Sequence, residues 1–456
     1  MTTTPADLDP LRSGLSAPVL APGEEGWDEA RQAWNLVADQ RPAAVAYAAS
    51  ANDVAAVVDF ARERGLRVAP QGTGHAATAL ESLDDVILLR TERMRDVTVD
   101  AGARRARVAA GALSCDLADA AGEHGLAPIG GSSPDVGVVG FALGGGVGWL
   151  SRRLGLACNS ITAAQVVTAN GEFVRADADQ NADLFWALRG GGGDFGVVTE
   201  LELELHPLGD VYAGSLMWPA EHGADVMHAY REWIATLPED MTSSVRFLSL
   251  PPIPEVPEPL RGVPVVDVTG AWAGDPAEGP ALLEPLRSVA PPLMDAWAEM
   301  PAAGLCRIYG DPEEPVPGLT QHAVLRELTA DTVDALVELA GPDSDSPLLM
   351  VGTRQLGGAL GRTPDGAGAL GAVEGEHALL GVGLVMAPEM VTPITAALDG
   401  MVAKVEPWST GGDYLNFADQ PRDASGAFDP DTYARLLGVK AAVNPDGLFV
   451  AAHPVV

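Results

Sequence analysis

Apolar and polar positions along residues 45–90 change rhythm three times. Residues 45–47 form a short apolar run that predicts a strand. Residues 52–64 place Val54, Val57, Val58 and Ala61 at helical spacing, which buries one face. Asn52 is expected to cap this helix, and Gly65 to end it in the left-handed conformation glycine tolerates. Residues 66–70 form the next strand, so strand, helix and strand follow within about thirty residues, as in a βαβ unit. Upstream, residues 27–36 have helical spacing. Downstream, 86–89 read as a strand, 97–99 and 106–109 as a hairpin, and 114–122 as a short helix capped by Ser114. Strands at 166–168 and 173–175 flank Asn170-Gly171, a two-residue hairpin turn. A helix at 181–189 precedes residues 195–205, whose alternation predicts a half-buried strand.

Past His206-Pro207 the pattern changes. Long strands at 214–218, 265–272, 348–356 and 379–385 alternate with helices at 225–237, 280–289, 330–339 and 393–404. This predicts a separate α+β unit on an antiparallel sheet, with a proline-rich loop at 251–259 and a flexible stretch at 357–371. The tail, an extended 414–419 and a helix at 429–439, is expected to return to the first domain. No internal repeat is visible.

Composition bounds the function. The 456 residues correspond to about three units of ~150 residues, and 47% hydrophobic content suffices for a large core. No run approaches the ~18 apolar residues of a membrane span. Residues 1–25 lack a basic start followed by an apolar stretch, so no secretory signal is expected. Cys115, Cys158 and Cys306 cannot make a disulfide framework and none lies in a C-x-x-C, which predicts a reducing cytoplasm and no zinc or iron–sulfur site. The net charge of −35 would repel a phosphate backbone, which excludes nucleic acid; the acidity serves solubility.

Glycine changes the picture. Eight of the nineteen residues from 130 to 148 are glycine. Each interior glycine weakens a helix or strand by roughly 0.5–1 kcal/mol relative to alanine, so this run is a loop. Successive bare N–H groups there can cradle a diphosphate. A second cluster, Gly190 to Gly193, and the turn Gly72-Thr73-Gly74-His75 point to one large phosphorylated dinucleotide touching several loops. No Gly-Lys pair exists for a P-loop, and Gly144-Gly145-Gly146-Val147-Gly148 follows a loop rather than the strand a Rossmann turn requires. The histidines other than His75 have no paired metal-ligand spacing, so no metal is expected.

Taken together, Gln71 to His75, Gly131 to Gly140 (with Ser132, Ser133, Pro134, Asp135, Val136 and Gly137) and Gly144 to Trp149 resemble the flavin-binding loops of the berberine bridge enzyme-like FAD-linked oxidases. These belong to the vanillyl-alcohol oxidase/p-cresol methylhydroxylase superfamily. Asn181 to Thr199, Tyr414 to Asp419 and Val439 to Phe449 fit the same family. The resemblance covers most of residues 40–206 and 410–450 and is weaker between them. It implies an α+β fold: a two-subdomain PCMH-type FAD-binding domain at 1–208 (core about 40–206), an antiparallel-sheet substrate domain with helices on one face at 209–404, and a C-terminal segment, 405–456, returning to the first.

It further implies a covalent bond from His75 to the 8-methyl of FAD, and only one, because Ser133 stands where many relatives carry a second, cysteine link. The diphosphate is expected against Gln71, Gly72, Thr73 and Gly74. Gly137, Gly140, Gly145, Gly146 and Gly148 would flank the ribityl chain and ring. Asn159, Ile161, Gly196 and Val198 would contact the adenosine half. Ala76, Gly131, Ser132, Ser133, Val139, Phe141, Trp149, Val197 and Asn416 complete the expected set. Val136 occupies the position that borders oxygen access.

The usual tyrosine base is replaced by Phe417. Tyr414 is a candidate substitute, but if 413–419 were a regular strand it would face away from Phe417, and Asp419, on the same face as Phe417, is the other candidate base. Tyr309, Arg354, Gln355 and His377 lie on segments that could line the cavity. The implied reaction is oxidation of a small alcohol, amine or quinol, possibly a natural-product intermediate, by hydride transfer to flavin N5 with molecular oxygen as acceptor. A dehydrogenase using another acceptor, and a protein that sequesters a toxic quinone-like compound, are the alternatives. The oligomeric state is left open.

Overall fold

The computed structural model describes residues 7–456 apart from 253, 255 and 257. A four-stranded sheet comes first, in the order Val19–Leu20, Ala44–Tyr47, Val86–Arg90, Arg67–Gln71; its last three strands are parallel. Helix Ala51–Arg64 covers it with Val54, Val57 and Val58, all fully buried. Its cap is Ser50 rather than Asn52. Ser50 has extended backbone and accepts from the Asp53 N–H at 3.2 Å, whereas Asn52 already lies in the first turn. Gly65 ends the helix at φ +66° as expected.

The helix expected over 27–36 stops at Ala30. Beyond it the chain is claimed by other partners: the Trp34 N–H donates to Thr73 O at 2.9 Å and the Leu36 N–H to Val316 O at 3.1 Å.

The second sheet has five antiparallel strands in the order Val97–Asp100, Arg105–Ala109, Val197–Glu204, Ile161–Val167, Phe173–Asp177. Helix Ser114–Gly122 lies beside it. Ser114 is its first helical residue, not its cap; the N–H of the capping residue, Leu113, is satisfied by the Asp116 carboxylate at 2.9 Å.

The third sheet is antiparallel throughout and runs Met294–Asp295, Asp210–Pro219, Pro264–Trp272, Met241–Ser249, Met350–Gln355, His377–Leu384, Gly318–Leu325, with Ala298–Pro301 also paired to the second of these. Period-two alternation gives it two different faces. Trp218, Val245, Phe247, Val266, Val268 and Leu379 pack under helices Gly223–Ile234, Gly279–Arg287, Ala330–Ala340 and Val391–Val405. The opposite side buries Ser244, Arg246, Asp267, Thr269 and Arg354. A buried polar face is costly unless its groups find partners, so this one is built for something. Strands Met241–Ser249 and Gly318–Leu325 were not anticipated.

Two loops differ from expectation. Residues 357–371 are held rather than flexible: Leu360 is fully buried, and Asn159 accepts from the Gly368 N–H (3.0 Å) while donating to Leu370 O (3.1 Å). Residues 414–419 are not a strand, since Leu415–Phe417 is a 3-10 turn. Within the proline-rich loop, 253, 255 and 257 lie outside the described residues, while Val256 is buried. The tail does return. Val68 donates to Leu448 O at 2.8 Å, and Val450 donates to Val68 O at 2.9 Å.

Two of the three cysteines nonetheless pair. Cys115 and Cys306, 191 residues apart, form a disulfide that ties helix Ser114–Gly122 to the turn Ala302–Arg307. Two helical segments packed side by side bring the thiols together, a relationship that spacing along the chain does not display. Cys158 is free and buried, and burial pushes its thiol up to about 12. Among the described residues no helix is long and apolar enough to cross a membrane, and no cluster of metal-ligating side chains occurs.

Candidate functional site

The turn after strand Arg67–Gln71 is the centre of the site. Gly74 has φ +89°, and a Cβ there would lie 2.9 Å from Ala33 Cβ and from Gln71 Nε2, so glycine is required twice over. No main-chain N–H from Gly72 to Ala76 donates a hydrogen bond among the described residues, although Thr73 O accepts one. This run of free donors on a bare backbone fits a diphosphate.

The His75 imidazole stacks on Trp34, with ring centroids 3.9 Å apart. Its Nε2 lies 3.5 Å from Asp135 Oδ1, which accepts from Ser133 Oγ at 3.0 Å. His75 Nε2, Asp135 Oδ2 and Gln71 Nε2 are buried without hydrogen-bond partners. Polar atoms left open in this way are what a bound group of matching chemistry would complete.

The loop 131–137 runs into helix Val138–Leu143, which begins after Gly137 and carries Val139, Gly140 and Phe141. The turn that follows has Gly145 at φ +118° and Gly146 at φ +80°. The Phe141 ring lies 2.7 Å from where a Gly146 Cβ would sit and 3.4 Å from that of Gly131, filling the gap between two loops. Asn416 donates to Phe141 O at 2.9 Å, so the C-terminal segment closes on this same turn. Gly148 donates to Ser151 Oγ at 2.9 Å, and Trp149 is buried beside it.

The set expected at adenosine is spread through packing roles. Asn159 anchors residues 368–370. Ile161, Val197 and Val198 are buried in the five-stranded sheet, and a Gly196 Cβ would press on Val166.

From the third sheet, Arg354 reaches across to the glycine loops. It is 7% exposed, donates from Nη2 to Ser132 Oγ at 3.0 Å, and sits over Trp149 (4.7 Å) and Tyr309 (5.0 Å). The Tyr309 hydroxyl meets Ser244 Oγ at 3.1 Å. Arg246 pairs with buried Asp267 at 2.8 Å, donates to Tyr309 O at 2.6 Å and stacks on the same ring at 3.6 Å. Nearby, burial pushes the Asp311 carboxyl up, opposed by Arg246, Arg354 and His75. Tyr309 and Arg354 are thus brought together with the flavin-type loops.

Gln355 and His377 belong to another buried patch. Gln355 accepts from Ser243 Oγ at 3.1 Å, and burial drives the His377 imidazole down to about 3. Arg246, Asp267, Asp311, Ser244 and Trp34 were not anticipated. Of these, Asp267 alone carries a signal in the sequence, a charged residue inside the otherwise largely apolar strand Pro264–Trp272.

The C-terminal turn changes two readings. Tyr414 does not face away from Phe417, because the rings meet edge-on with centroids 4.9 Å apart in the 3-10 turn. Tyr414 is 3% exposed, its hydroxyl takes a hydrogen bond from Asn416 at 3.4 Å, and burial raises its pKa further. Burial thus favours the protonated phenol. Asp419 is different: burial pushes its carboxyl up to about 6, while Thr320 and His75 act in the opposite sense. That value suits a group that exchanges protons near neutral pH.

Comparison with known proteins follows this geometry. Residues 42–177 match the FAD binding domain family. A (R)-6-hydroxynicotine oxidase of Paenarthrobacter nicotinovorans is 38% identical over 45% of each chain, so that match spans under half of either protein. An uncharacterized FAD-linked oxidoreductase of Bacillus subtilis is 24% identical over 96% of both. Among solved structures, 6-hydroxy-D-nicotine oxidase of Arthrobacter nicotinovorans superposes over 97% of both chains with a TM-score of 0.83 and 25% identity. A berberine bridge enzyme-like protein of Physcomitrella patens, at 21% identity and TM-score 0.82, shares the fold. Residues 42–177 are thus an FAD binding domain, and the chain is an FAD-linked oxidoreductase with the fold shared by 6-hydroxy-D-nicotine oxidase and the berberine bridge enzyme-like proteins.

Proposed function

We propose that the protein is an oxidase that holds FAD through a single covalent bond at His75 and oxidises a small alcohol, amine or quinol with molecular oxygen as acceptor. When bound, FAD would supply a two-electron oxidation, with oxygen as the final acceptor. The observation that carries the reading is the meeting of His75 and Ser133 at the Asp135 carboxylate, beside a run of unpartnered N–H groups. Residues 1–208 and 405–456 would hold the cofactor, and 209–404 would cover it with the polar face of the third sheet.

In this reading Gln71 to Gly74 bind the diphosphate, and the 131–148 loops flank the ribityl chain and ring. Asn159, Ile161, Gly196 and Val198 take the adenosine half. Ser133 has no thiol, so it makes no second link. Trp34 and Asp135 fix the His75 ring from its face and its edge. Arg354, stacked on Trp149 and Tyr309, orients the substrate against Ser132. Phe417 has no proton to exchange, so Asp419 removes the substrate proton, a role that typically contributes roughly 10²–10⁴-fold. Val136 leaves the oxygen path open.

Anaerobic mixing with a panel of alcohols, amines and quinols tests the reading. Flavin bleaching by at least one class, and recovery of colour with peroxide release on admitting air, is expected. Bleaching that air does not reverse would indicate a dehydrogenase.

A further inference from the structure

Two arginines stand side by side on the polar face of the third sheet, and only one of them has a counter-ion. Across the pair of strands Met241–Ser249 and Met350–Gln355, Arg246 lies opposite Gly352 and Ser244 opposite Arg354. A Cβ at Gly352 would come within 2.3 Å of Arg246 Cβ, so the missing side chain leaves room for that arginine. Arg246 is neutralised by Asp267, which is fully buried and also accepts from Thr269 Oγ1 at 2.7 Å. Both guanidiniums pack on the Tyr309 ring, at 3.6 Å and 5.0 Å from its centroid.

Arg354 has no such partner. No carboxylate pairs with it among the described residues, in a chain of net charge −35 where carboxylates are plentiful. Asp311 lies within the field of both arginines, but burial pushes its carboxyl toward the neutral form, which makes it a poor counter-ion. A buried cation is costly until an anion or enough acceptors complete it. One acceptor is present, since Ser132 Oγ takes a hydrogen bond from Nη2 at 3.0 Å.

The remaining donors are open. Nε and Nη1 donate to nothing among the described residues, yet neither is sealed in as Asp267 Oδ1 is. They therefore keep contact with free space beside the loop 131–137. Packing against Trp149 (4.7 Å) and Tyr309 restrains the plane of the guanidinium and so the direction of these donors. The phosphates of FAD, assigned above to the turn Gln71 to Gly74, leave this cation unmatched.

We infer that Arg354 receives a carboxylate of the substrate, so that the alcohol, amine or quinol oxidised here also carries an acid group. This deepens the oxidase reading above and rests on it. The carboxylate supplies the missing counter-ion, and a planar guanidinium suits its two oxygens. Arg246 is a positioning residue: it donates to Tyr309 O at 2.6 Å and holds the ring on which Arg354 rests. A neutral molecule of the same shape loses the charge, and a cation is repelled.

Calorimetric titration of the flavin-loaded protein at neutral pH tests this, with benzoate, benzamide and benzamidine as probes. The three share one shape and differ in charge, and none is itself a substrate for oxidation. Benzoate should bind at least tenfold tighter than benzamide, and benzamidine weakest. In Arg354→Gln benzoate should fall to the affinity of benzamide, while benzamide is unchanged. If that variant does not fold, Arg354→Lys, which keeps the charge and loses the planar fork, should still weaken benzoate severalfold and leave benzamide alone. Equal affinity for benzoate and benzamide, no binding of benzoate, or a benzoate affinity indifferent to the substitutions overturns the assignment. The absorbance of the same samples keeps the two readings apart: a protein that takes up no flavin sinks the oxidase reading, whereas a yellow protein without a preference for benzoate sinks only the carboxylate.

Discussion

His75 Nε2 and Asp135 Oδ1 lie 3.5 Å apart although sixty residues separate them, and the same carboxylate oxygen accepts from Ser133. A carboxylate placed against an imidazole edge favours one orientation of the ring. Asp135→Asn is therefore expected to slow flavin attachment to His75 while leaving FAD binding in place. Ser133→Ala should leave the attached fraction unchanged. In-gel flavin fluorescence of freshly expressed protein distinguishes the two.

Asp419 sets a pH dependence. Its carboxyl titrates at about 6, so the basic form dominates above that value and is lost as pH falls below it. The rate of flavin reduction should rise through about pH 6 and then level. Asp419→Asn should lower it by roughly 10²–10⁴-fold and abolish the acidic limb. Phe417→Tyr should bring no hundredfold gain; such a gain would mean that the native site merely lacks its base.

Oxygen access depends on a small side chain at Val136. Val136→Ile adds one methylene at the expected gas path and should slow flavin reoxidation by about tenfold or more, equivalent to ~1.4 kcal/mol of barrier. Reduced flavin mixed with air-saturated buffer in a stopped-flow reads this directly. Equal rates in the two proteins would remove Val136 from the account.

The Cys115–Cys306 disulfide ties the two halves of the site. The Cys115 N–H donates to Pro134 O at 3.1 Å, next to Ser133 and Asp135, while Cys306 lies three residues before Tyr309. Cys306→Ser should lower stability by about 2–4 kcal/mol, read as a reduced Tm. A Tm unchanged by Cys306→Ser and by reductant would show that the bond carries no load.

The site was legible wherever one residue's chemistry dictated its backbone. Gly74, Gly145 and Gly146 adopt positive φ, and that requirement is written in their identity. Helix Ala51–Arg64 was legible from its apolar spacing, and only its cap slipped by two residues. Strand Met241–Ser249 was hidden because Ser244 and Arg246 are buried on the side that meets the glycine loops and Ser243 under the helices against Tyr230, so its polar residues read as surface. Residues 414–419 carry an alternation that imitates a strand, but no neighbouring strand edge takes them up, and Tyr414 packs on the Gly145 turn instead. The Cys115–Cys306 pairing depends on helix docking across 191 residues, which leaves no local trace.

The central claim is that the glycine loops hold FAD and that His75 is its one attachment point. Acid precipitation of the purified, air-exposed protein, followed by proteolysis and mass analysis of the yellow peptide, tests it most directly. The account predicts colour that stays with the protein, on a single peptide containing His75, and colour released to the supernatant in His75→Ala. Colour found on a peptide without His75, or lost entirely from the wild-type precipitate, would contradict it.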